Sequence, residues 1–212
     1  MNDSPGPAAP PAANPFVPWT TRITIAVVGV VSVAGFWSRP LAELLRKDNG
    51  ALQAGELWRL FTPGLVHGGA LHLAMNGIFL LDLGGLVERL FGGRRLSVIL
   101  WGSVAAGSIA SALVNPAPSV GISGGLFGLV GAMLAQGIRY WRRLSPDGRR
   151  MFLRGPIEIV ILNVAMGYTM PNIDNAAHLG GLAGGLVLGA LLGLSGELRA
   201  RMEGRLPAGR IG

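Results

Sequence analysis

Residues 96–138 read LSVILWGSVAAGSIASALVNPAPSVGISGGLFGLVGAMLAQGI, a run of 43 residues without a charged side chain. A helix needs about 20 mostly apolar residues to cross the hydrocarbon core of a bilayer, so this run is too long for one crossing. The segment NPAPSVG at 115–121 divides it, because Pro116 and Pro118 are poorly tolerated in a helix interior. The stretch therefore predicts two membrane-spanning helices joined by a turn.

The composition of the whole chain agrees with a membrane protein. Of its 212 residues 50% are hydrophobic and 14% are charged, and the mean hydropathy is +0.48. A soluble domain carries about 25% charged residues. The net charge of +7 would fit nucleic acid, but the charges fall in short connections between apolar runs, which favours a topological role and no nucleic-acid partner. Cysteine is absent, which excludes disulfides, a thiolate nucleophile and cysteine-based metal sites.

Further apolar runs with few or no charges extend the pattern to an all-α membrane protein with six transmembrane helices. The helices are predicted over residues 21–38, 70–91, 95–114, 122–139, 157–171 and 176–195. Together they make one domain, 21–195. The Pro/Ala-rich residues 1–20 are expected to form a disordered cytoplasmic tail, and residues 196–212 a second cytoplasmic tail.

The distribution of Lys and Arg predicts the orientation. With the N-terminus inside, the inner segments carry 14 basic residues and the outer segments carry 4. Cytoplasmic loops carry the excess of basic residues in membrane proteins. Both termini are therefore predicted to be cytoplasmic.

Polar side chains from three predicted helices fall at one depth, just below the outer surface. His72 and Asn76 lie in the first turns of the second helix, Ser123 begins the fourth, and His178 begins the sixth. Ionisable residues inside membranes are rare and generally functional. The coincidence in depth predicts a site near the outer surface.

Each of these residues also has a purely structural interpretation. Serine is common where membrane helices pack, and His72 and Asn76, four apart on one helix face, could simply join helices. The sequence GISGG also fits G-x-S-x-G, but that motif needs a preceding strand, which this sequence does not offer. Three histidines could suggest a metal, yet His67 and His72 are five apart and no acidic residue has ligand-like spacing, so no metal site is expected.

Glycine spacing indicates which helices approach each other. The fourth helix carries Gly124 and Gly128, and the sixth carries Gly180 and Gly184 as well as a second row, Gly181, Gly185 and Gly189. Small residues at such spacing let helix backbones pack closely. If these faces meet, Ser123 and His178 come into contact at the outer end.

The residues then support nucleophilic catalysis. Ser123 would be the nucleophile and His178 the general base that takes its proton. His72 and Asn76, with the Ser123 backbone N–H, would stabilise an oxyanion. Asp174, four residues before His178, is interpreted as a solvated loop charge, so a dyad is predicted, with no cofactor.

The motifs that carry these residues resemble the rhomboid family of intramembrane serine proteases. They are HGGALHLAMN (67–76), GISG (121–124) and AHLGGLAGG (177–185), in that order. GELWRLFTP (55–63) is similar to the family's Trp-Arg motif, and LGGLVERLFG (83–92) to the end of its second helix. The resemblance covers roughly residues 20–195 and is specific because the motifs occur together and in order.

The resemblance implies a six-helix bundle with a water-filled cavity that opens to the outer side. Such an enzyme cleaves transmembrane segments of other membrane proteins near that surface, with Ser123 and His178 as dyad and His72 and Asn76 in the oxyanion hole. Loop 1, roughly 38–60, would lie in the outer leaflet, with Trp58 and Arg59 as its structural motif. The fifth helix would mark the side where substrate enters.

At one sequence position this chain differs from some bacterial members of the rhomboid family. These have Tyr four residues after the nucleophile, where this chain has Phe127. A phenyl ring can still stack on the base but cannot donate a hydrogen bond, so activity is expected to survive.

Two other functions are compatible with parts of this pattern. A catalytically inactive rhomboid-like protein could bind membrane helices without cutting them, although both dyad and both oxyanion residues are present. A small transporter or channel would favour internal repeats and helices broken near mid-membrane, which the sequence does not show. The expected partners are the lipid bilayer and single-pass or multi-pass membrane substrates. The compact chain favours a bacterial plasma (inner) membrane.

Overall fold

The computed structural model describes residues 16–170 and 173–205, and this part of the chain is helical, with one isolated antiparallel bridge between Lys47 and Ser119. The longer helices are α1 (Trp19–Trp37), α4 (Ala70–Phe91), α5 (Gly93–Val114), α6 (Ser123–Tyr140), α7 (Pro146–Thr169) and α8 (Asn175–Leu192). Short helices α2 (Arg39–Leu45) and α3 (Asn49–Gln53) follow α1, and α9 (Gly196–Met202) follows α8. Residues 1–15 of the first predicted tail and 206–212 of the second lie outside the described residues, whereas the start of the second tail forms α9.

Five of these helices, α1, α4, α5, α7 and α8, are long and apolar enough to cross a membrane. The helix α6 differs because most of its residues are buried inside the bundle, between α5 and α8. It is rich in glycine and carries Gln136, and a helix enclosed by other helices does not need an apolar surface for lipid. A crossing by α6, and hence the count of six, stays a prediction.

The observed ends of most spanning helices lie within three residues of the predicted ones, with one larger difference. The fifth helix was predicted over 157–171 but begins at Pro146 and continues through a π-helical turn at Arg150–Arg154. The predicted start at residue 157 is therefore eleven residues too late. A π-helical turn directly before the proline loosens the bonding ladder at the point where proline has no N–H to donate.

Glycine contacts define the centre of the bundle. A Cβ atom on Gly181 or Gly185 would fall onto the backbone carbonyl of Gly124 or Gly128, so α8 and α6 pack backbone to backbone. The other glycine row of α8 faces α5, because a Cβ on Gly180 would lie 2.9 Å from the Ala106 carbonyl oxygen. The two glycine rows predicted for this helix thus pack against two different helices. The row that contacts α6 consists of Gly181, Gly185 and Gly189.

Polar contacts hold the outer elements to this centre. The Glu88 carboxylate of α4 accepts hydrogen bonds from the backbone N–H groups of Thr20 and Thr21, at 2.9 and 2.8 Å, and so caps the N-terminus of α1. At the opposite end, the bridge between Lys47 and Ser119 joins the connection after α1 to the turn before α6. This second contact positions the site described next.

Candidate active site

Ser123 and His178 meet at one end of the bundle. Ser123 is the first residue of α6, His178 lies in the first turn of α8, and Ser123 Oγ is 2.9 Å from His178 Nε2. The close glycine packing of α6 on α8 brings two short side chains within hydrogen-bonding distance. The pair has the separation that a nucleophile and its general base need.

Phe127, one turn after Ser123, stacks on the imidazole of His178. The ring centroids are 4.4 Å apart and the planes differ by 10°. Stacking fixes the plane of the imidazole and excludes water from its face. The structure therefore brings Phe127 to the place that the sequence analysis assigned to it.

The Nδ1 atom of His178 has no hydrogen-bond partner within the described residues. If Nε2 accepts the Ser123 proton, Nδ1 must carry the hydrogen in the neutral ring. No carboxylate of the described residues orients this nitrogen.

Asp174 is not the solvated loop charge that the sequence suggested. It caps α8: its carboxylate accepts the Ala177 N–H at 3.0 Å and the Ser111 hydroxyl at 2.5 Å, and its backbone carbonyl accepts the His178 N–H at 3.1 Å. Burial opposes its ionisation, but these hydrogen bonds outweigh burial and hold the pKa of Asp174 below its usual value. The residue positions the turn that carries His178, a role invisible in sequence because Ser111 lies 63 positions away.

His72 borders the same space as Ser123. A Cβ placed on Gly121 would lie 3.0 Å from His72 Nε2 and 3.8 Å from Ser123 Oγ. Gly121 has φ +119, a conformation that side chains with a Cβ rarely adopt. A glycine is therefore needed at this position, both for the turn and for the approach of the His72 ring.

Asn76 lies one turn after His72 on α4 and is buried, with 8% of its surface exposed. Its Nδ2 amide has no partner within the described residues. It also borders a cavity of about 170 Å³ between α1, α4 and Ile122. A buried donor without a partner is costly, which is a reason to expect that it meets a ligand or water.

His67 has a structural role that sequence analysis did not assign. Its Nε2 accepts the Ile122 N–H at 3.4 Å, so Nδ1 carries the hydrogen and donates to Ser32 Oγ at 2.9 Å. The Ser32 hydroxyl in turn donates to the Leu65 carbonyl. Burial, and to a smaller extent His72, lowers the pKa of His67 to about 4, which keeps the ring neutral for this network. The described residues contain no cluster of three His, Cys, Asp or Glu side chains that could hold a metal ion.

Lys47 is fully buried beside the turn that precedes Ser123. Its Nζ donates to the carbonyls of Asn115 and Ala117, each at 2.8 Å. Burial lowers the pKa of Lys47, although Asp174 and Asp48 act in the opposite direction. In sequence Lys47 counts only as an outer charge, because its place in the hydrophilic stretch RKDN (46–49) gives no signal that it will be enclosed.

The predicted loop-1 pair divides between the inside and the outside of the protein. Trp58 is 47% exposed, whereas Arg59 is 7% exposed. Arg59 donates from Nε to Glu56 at 2.7 Å and from Nη1 to the carbonyls of Glu43 and Arg46 at 2.6 and 2.9 Å. The guanidinium therefore holds the connection between α2 and the next turn together.

Comparison with known proteins places this chain among rhomboid sequences. The family model described as Rhomboid domain matches residues 54–195, a range that includes the predicted site residues from Trp58 to His178. The chain is 41% identical over 152 residues to Rhomboid protease GluP of Bacillus subtilis, covering 70% of this chain and 28% of GluP. It is 39% identical over 160 residues to RHOMBOID-like protein 5 of Arabidopsis thaliana and 33% identical over 136 residues to Rhomboid-like protease 3 of Toxoplasma gondii. The matched regions cover 72% and 63% of this chain and 51% of each of those two relatives.

Proposed function

This chain belongs to the rhomboid family as a multi-pass membrane protein, and from that premise we propose that it is an intramembrane serine endopeptidase that cuts transmembrane segments of other membrane proteins. The observation that carries the proposal is the 2.9 Å contact between Ser123 Oγ and His178 Nε2 at one end of the bundle. The chain spans between about a quarter and a half of the length of the relatives compared. The activities of those whole proteins are therefore not attributed to this chain on similarity alone.

In the first step, Ser123 Oγ attacks the carbonyl carbon of the scissile peptide bond while His178 Nε2 takes the hydroxyl proton. The carbonyl oxygen becomes an oxyanion, which accepts hydrogen bonds from the Ser123 N–H, His72 and the unpartnered Asn76 Nδ2. The tetrahedral intermediate collapses, the C–N bond breaks, and His178 gives its proton to the leaving amine. The product is an ester between Ser123 and the N-terminal fragment.

Hydrolysis of the ester repeats the sequence with water. His178 takes a proton from water while the water oxygen attacks the ester carbonyl. The tetrahedral intermediate collapses, the bond from the acyl carbon to Ser123 Oγ breaks, and the N-terminal fragment leaves with a free carboxyl group as His178 returns the proton to Ser123 Oγ. A peptide bond can be hydrolysed below the membrane surface only where water enters, and polar side chains tolerate that depth when they line such a cavity. Substrates are expected to be membrane proteins whose helix unwinds at the cut, which small or helix-breaking residues favour.

The topology that fits this chemistry has six crossings, with α6 as one of them, and both termini in the cytoplasm. The dyad then lies near the extracytoplasmic surface. Loop 1, with Trp58 directed outward and Arg59 inward, would rest in the outer leaflet, and α7 would border the entry of substrate. We also propose a bacterial plasma membrane, which the similarity to the Bacillus subtilis protease supports.

The decisive test is cleavage of a model transmembrane substrate by purified protein. Wild type is expected to cut, whereas Ser123→Ala and His178→Ala are expected to be inactive; Ser97→Ala, at the opposite end of α5, is the matched control and should cut normally. Equal cleavage by all four proteins would reject the dyad.

The alternative function is a catalytically inactive rhomboid-like protein that binds membrane helices. A serine-reactive fluorophosphonate separates the two functions, because labelling requires an activated Ser123 but no suitable substrate. Wild type that is neither labelled nor active, while still folded, would favour the binding function.

A further inference from the structure

A cleft separate from the dyad opens between α4, α6 and α7. Its volume is about 380 Å³, within the range of small-molecule sites. Most of its lining is apolar and includes Leu83, Leu86, Val130, Met133, Met151 and Ile159. Its two charged lining residues are Asp147 and Arg150, both in the first two turns of α7.

The position of the cleft along α6 separates it from the active site. Val130 and Met133 follow Ser123 by seven and ten residues, which corresponds to about 10 and 15 Å along a helix. The charged rim lies further on, because Arg150 follows the end of α6 at Tyr140. Since the hydrocarbon core is about 30 Å thick, these walls reach the middle of the membrane, and the charged rim lies toward the surface opposite the dyad.

The positive charge of Arg150 has no ion-pair partner among the residues that the structure describes, although Asp147 shares the lining. Arg150 is exposed and forms no ion pair or side-chain hydrogen bond within the described residues. Residues 139–154 contain six arginines and one acidic residue, Asp147. Arg142 and Arg149 lie over the ring of Trp141, which leaves their positive charge in place. The rim therefore favours an anion.

The shape of the cleft favours a chain over a helix. A helix with its side chains is 10–12 Å across, so a single 5.4 Å turn occupies roughly 420–610 Å³, which is more than the cleft holds. A flexible hydrocarbon chain is thinner and fits between apolar walls. The best match is a molecule that is apolar along most of its length and anionic at one end.

We propose that this cleft binds an anionic phospholipid, with an acyl chain between α4, α6 and α7 and its phosphate at Arg150. Basic residues at a cleft between membrane helices are a setting in which lipid headgroups bind. The carboxylate of Asp147 opposes a phosphate, and its place in the first helical turn is explained by the helix dipole. Lipid binding here is independent of the proposed proteolysis.

A competing explanation is that the arginines serve topology alone. The orientation of a membrane protein depends on the number of Lys and Arg residues in its loops and not on one particular residue. Arg94, exposed at the same end of the bundle but not part of the cleft lining, is therefore the matched control for Arg150.

The test is a titration of the purified full chain in a neutral detergent, followed by native mass spectrometry. The probes are phosphatidylglycerol and phosphatidylcholine with identical acyl chains. Wild type is expected to retain one phosphatidylglycerol in preference to phosphatidylcholine. Arg150→Gln should weaken that binding about fivefold or more, from the loss of one cation near the headgroup. Arg94→Gln should leave it unchanged, and Asp147→Asn should tighten it.

A second variant tests the apolar half of the site without changing any charge. Leu86→Trp adds bulk to the wall of the cleft and is expected to reduce phosphatidylglycerol binding while its melting temperature stays near that of wild type. Equal effects of Arg150→Gln and Arg94→Gln, equal binding of the two lipids, or full binding by Leu86→Trp would overturn the proposal. Displacement by glycerol 3-phosphate at equal concentration would assign the site to free anions and overturn it as well.

Discussion

At the scale of single residues, the candidate site depends on residues whose backbone or side-chain conformation is fixed by contacts with their neighbours. Gly121 has a positive φ and touches His72, Phe127 stacks on His178, and His67 holds the Ile122 N–H directly before the nucleophile. Catalytic geometry tolerates displacements of much less than 1 Å. Substitutions that leave the dyad itself intact should therefore change activity.

Gly121→Ala tests the turn before the nucleophile. An added Cβ would lie 2.8 Å from His72 Cε1, at a φ that alanine rarely adopts. We expect kcat/KM for a model substrate to fall by about 100-fold, the loss typical of a misplacement near 1 Å. Gly77→Ala is the control, because a Cβ there meets nothing within 4 Å. Similar activity of both variants would contradict the assigned role of Gly121.

The lowered pKa of His67 predicts that the stability of the folded protein depends on pH. Its pKa in the folded protein is lowered from 6.5 to about 4, so between these values the unfolded chain binds a proton that the folded chain does not. The contribution of His67 is thus fully present above pH 6.5 and is lost as the pH falls toward 4. We expect the melting temperature of wild type to fall over this window, and less steeply in His67→Phe.

Ser32→Ala serves as the control for this experiment. It removes the hydroxyl that His67 contacts but leaves the titrating ring, so it should lower stability at every pH and keep most of the slope. The same slope in His67→Phe and in wild type would show that other groups cause the acid sensitivity.

At the scale of helices, two features set the relative positions of the dyad residues: the glycine interface of α6 with α8, and the cap that begins α8. The interface controls how closely the helices approach, and the cap controls where the first turn of α8 starts. Each feature can be altered without touching Ser123 or His178.

Gly185→Ala tests the interface. Its Cβ would fall onto the carbonyl of Gly128, and overpacking of this kind costs about 1–3 kcal/mol of unfolding free energy. We expect a lower melting temperature and weaker cleavage together. Gly29→Ala on α1 is the matched control because its Cβ would meet nothing within 4 Å. A Gly185→Ala protein as stable as this control would argue against close packing.

Asp174 tests the cap. Asp174→Ala removes an N-cap, which costs about 1 kcal/mol, and also leaves the Ser111 hydroxyl without its partner. Asp174→Asn keeps a side chain that caps well, so it should retain most of the stability. Activity is expected to follow the same order, with kcat affected more than KM. If the asparagine variant lost as much stability as the alanine variant, charge rather than capping would explain the role.

At the scale of the whole molecule, the open question with the clearest test is whether α6 crosses the membrane. Because the chain contains no cysteine, single cysteines can report on each connection. Gln53 lies between α1 and α4, and Arg142 lies between α6 and α7. Three helices separate these positions if α6 crosses and only two if it does not.

We expect a membrane-impermeant maleimide to label Gln53→Cys but not Arg142→Cys in intact cells, and both after permeabilisation. Labelling of Arg142→Cys but not Gln53→Cys in intact cells would show that the orientation is inverted, with six crossings retained. Labelling of both positions from the same side would reject a crossing by α6.

The sequence alone was sufficient for features that depend on local composition. It predicted the spanning runs, because about 20 apolar residues suffice for a crossing whatever surrounds them. The motifs around Ser123 and His178 carried the resemblance to the rhomboid family, and the family match to residues 54–195 confirms that resemblance.

Tertiary structure decided what depends on contacts between distant residues. The cap of Asp174 requires Ser111, the buried charge of Lys47 requires the carbonyls of Asn115 and Ala117, and the network of His67 requires Ser32 and Ile122. None of these partners lies at a fixed spacing in the sequence, so no local sequence pattern predicts these contacts. The choice between the two glycine rows of α8 was likewise settled by packing, because spacing alone makes both rows equally able to accept a neighbouring backbone.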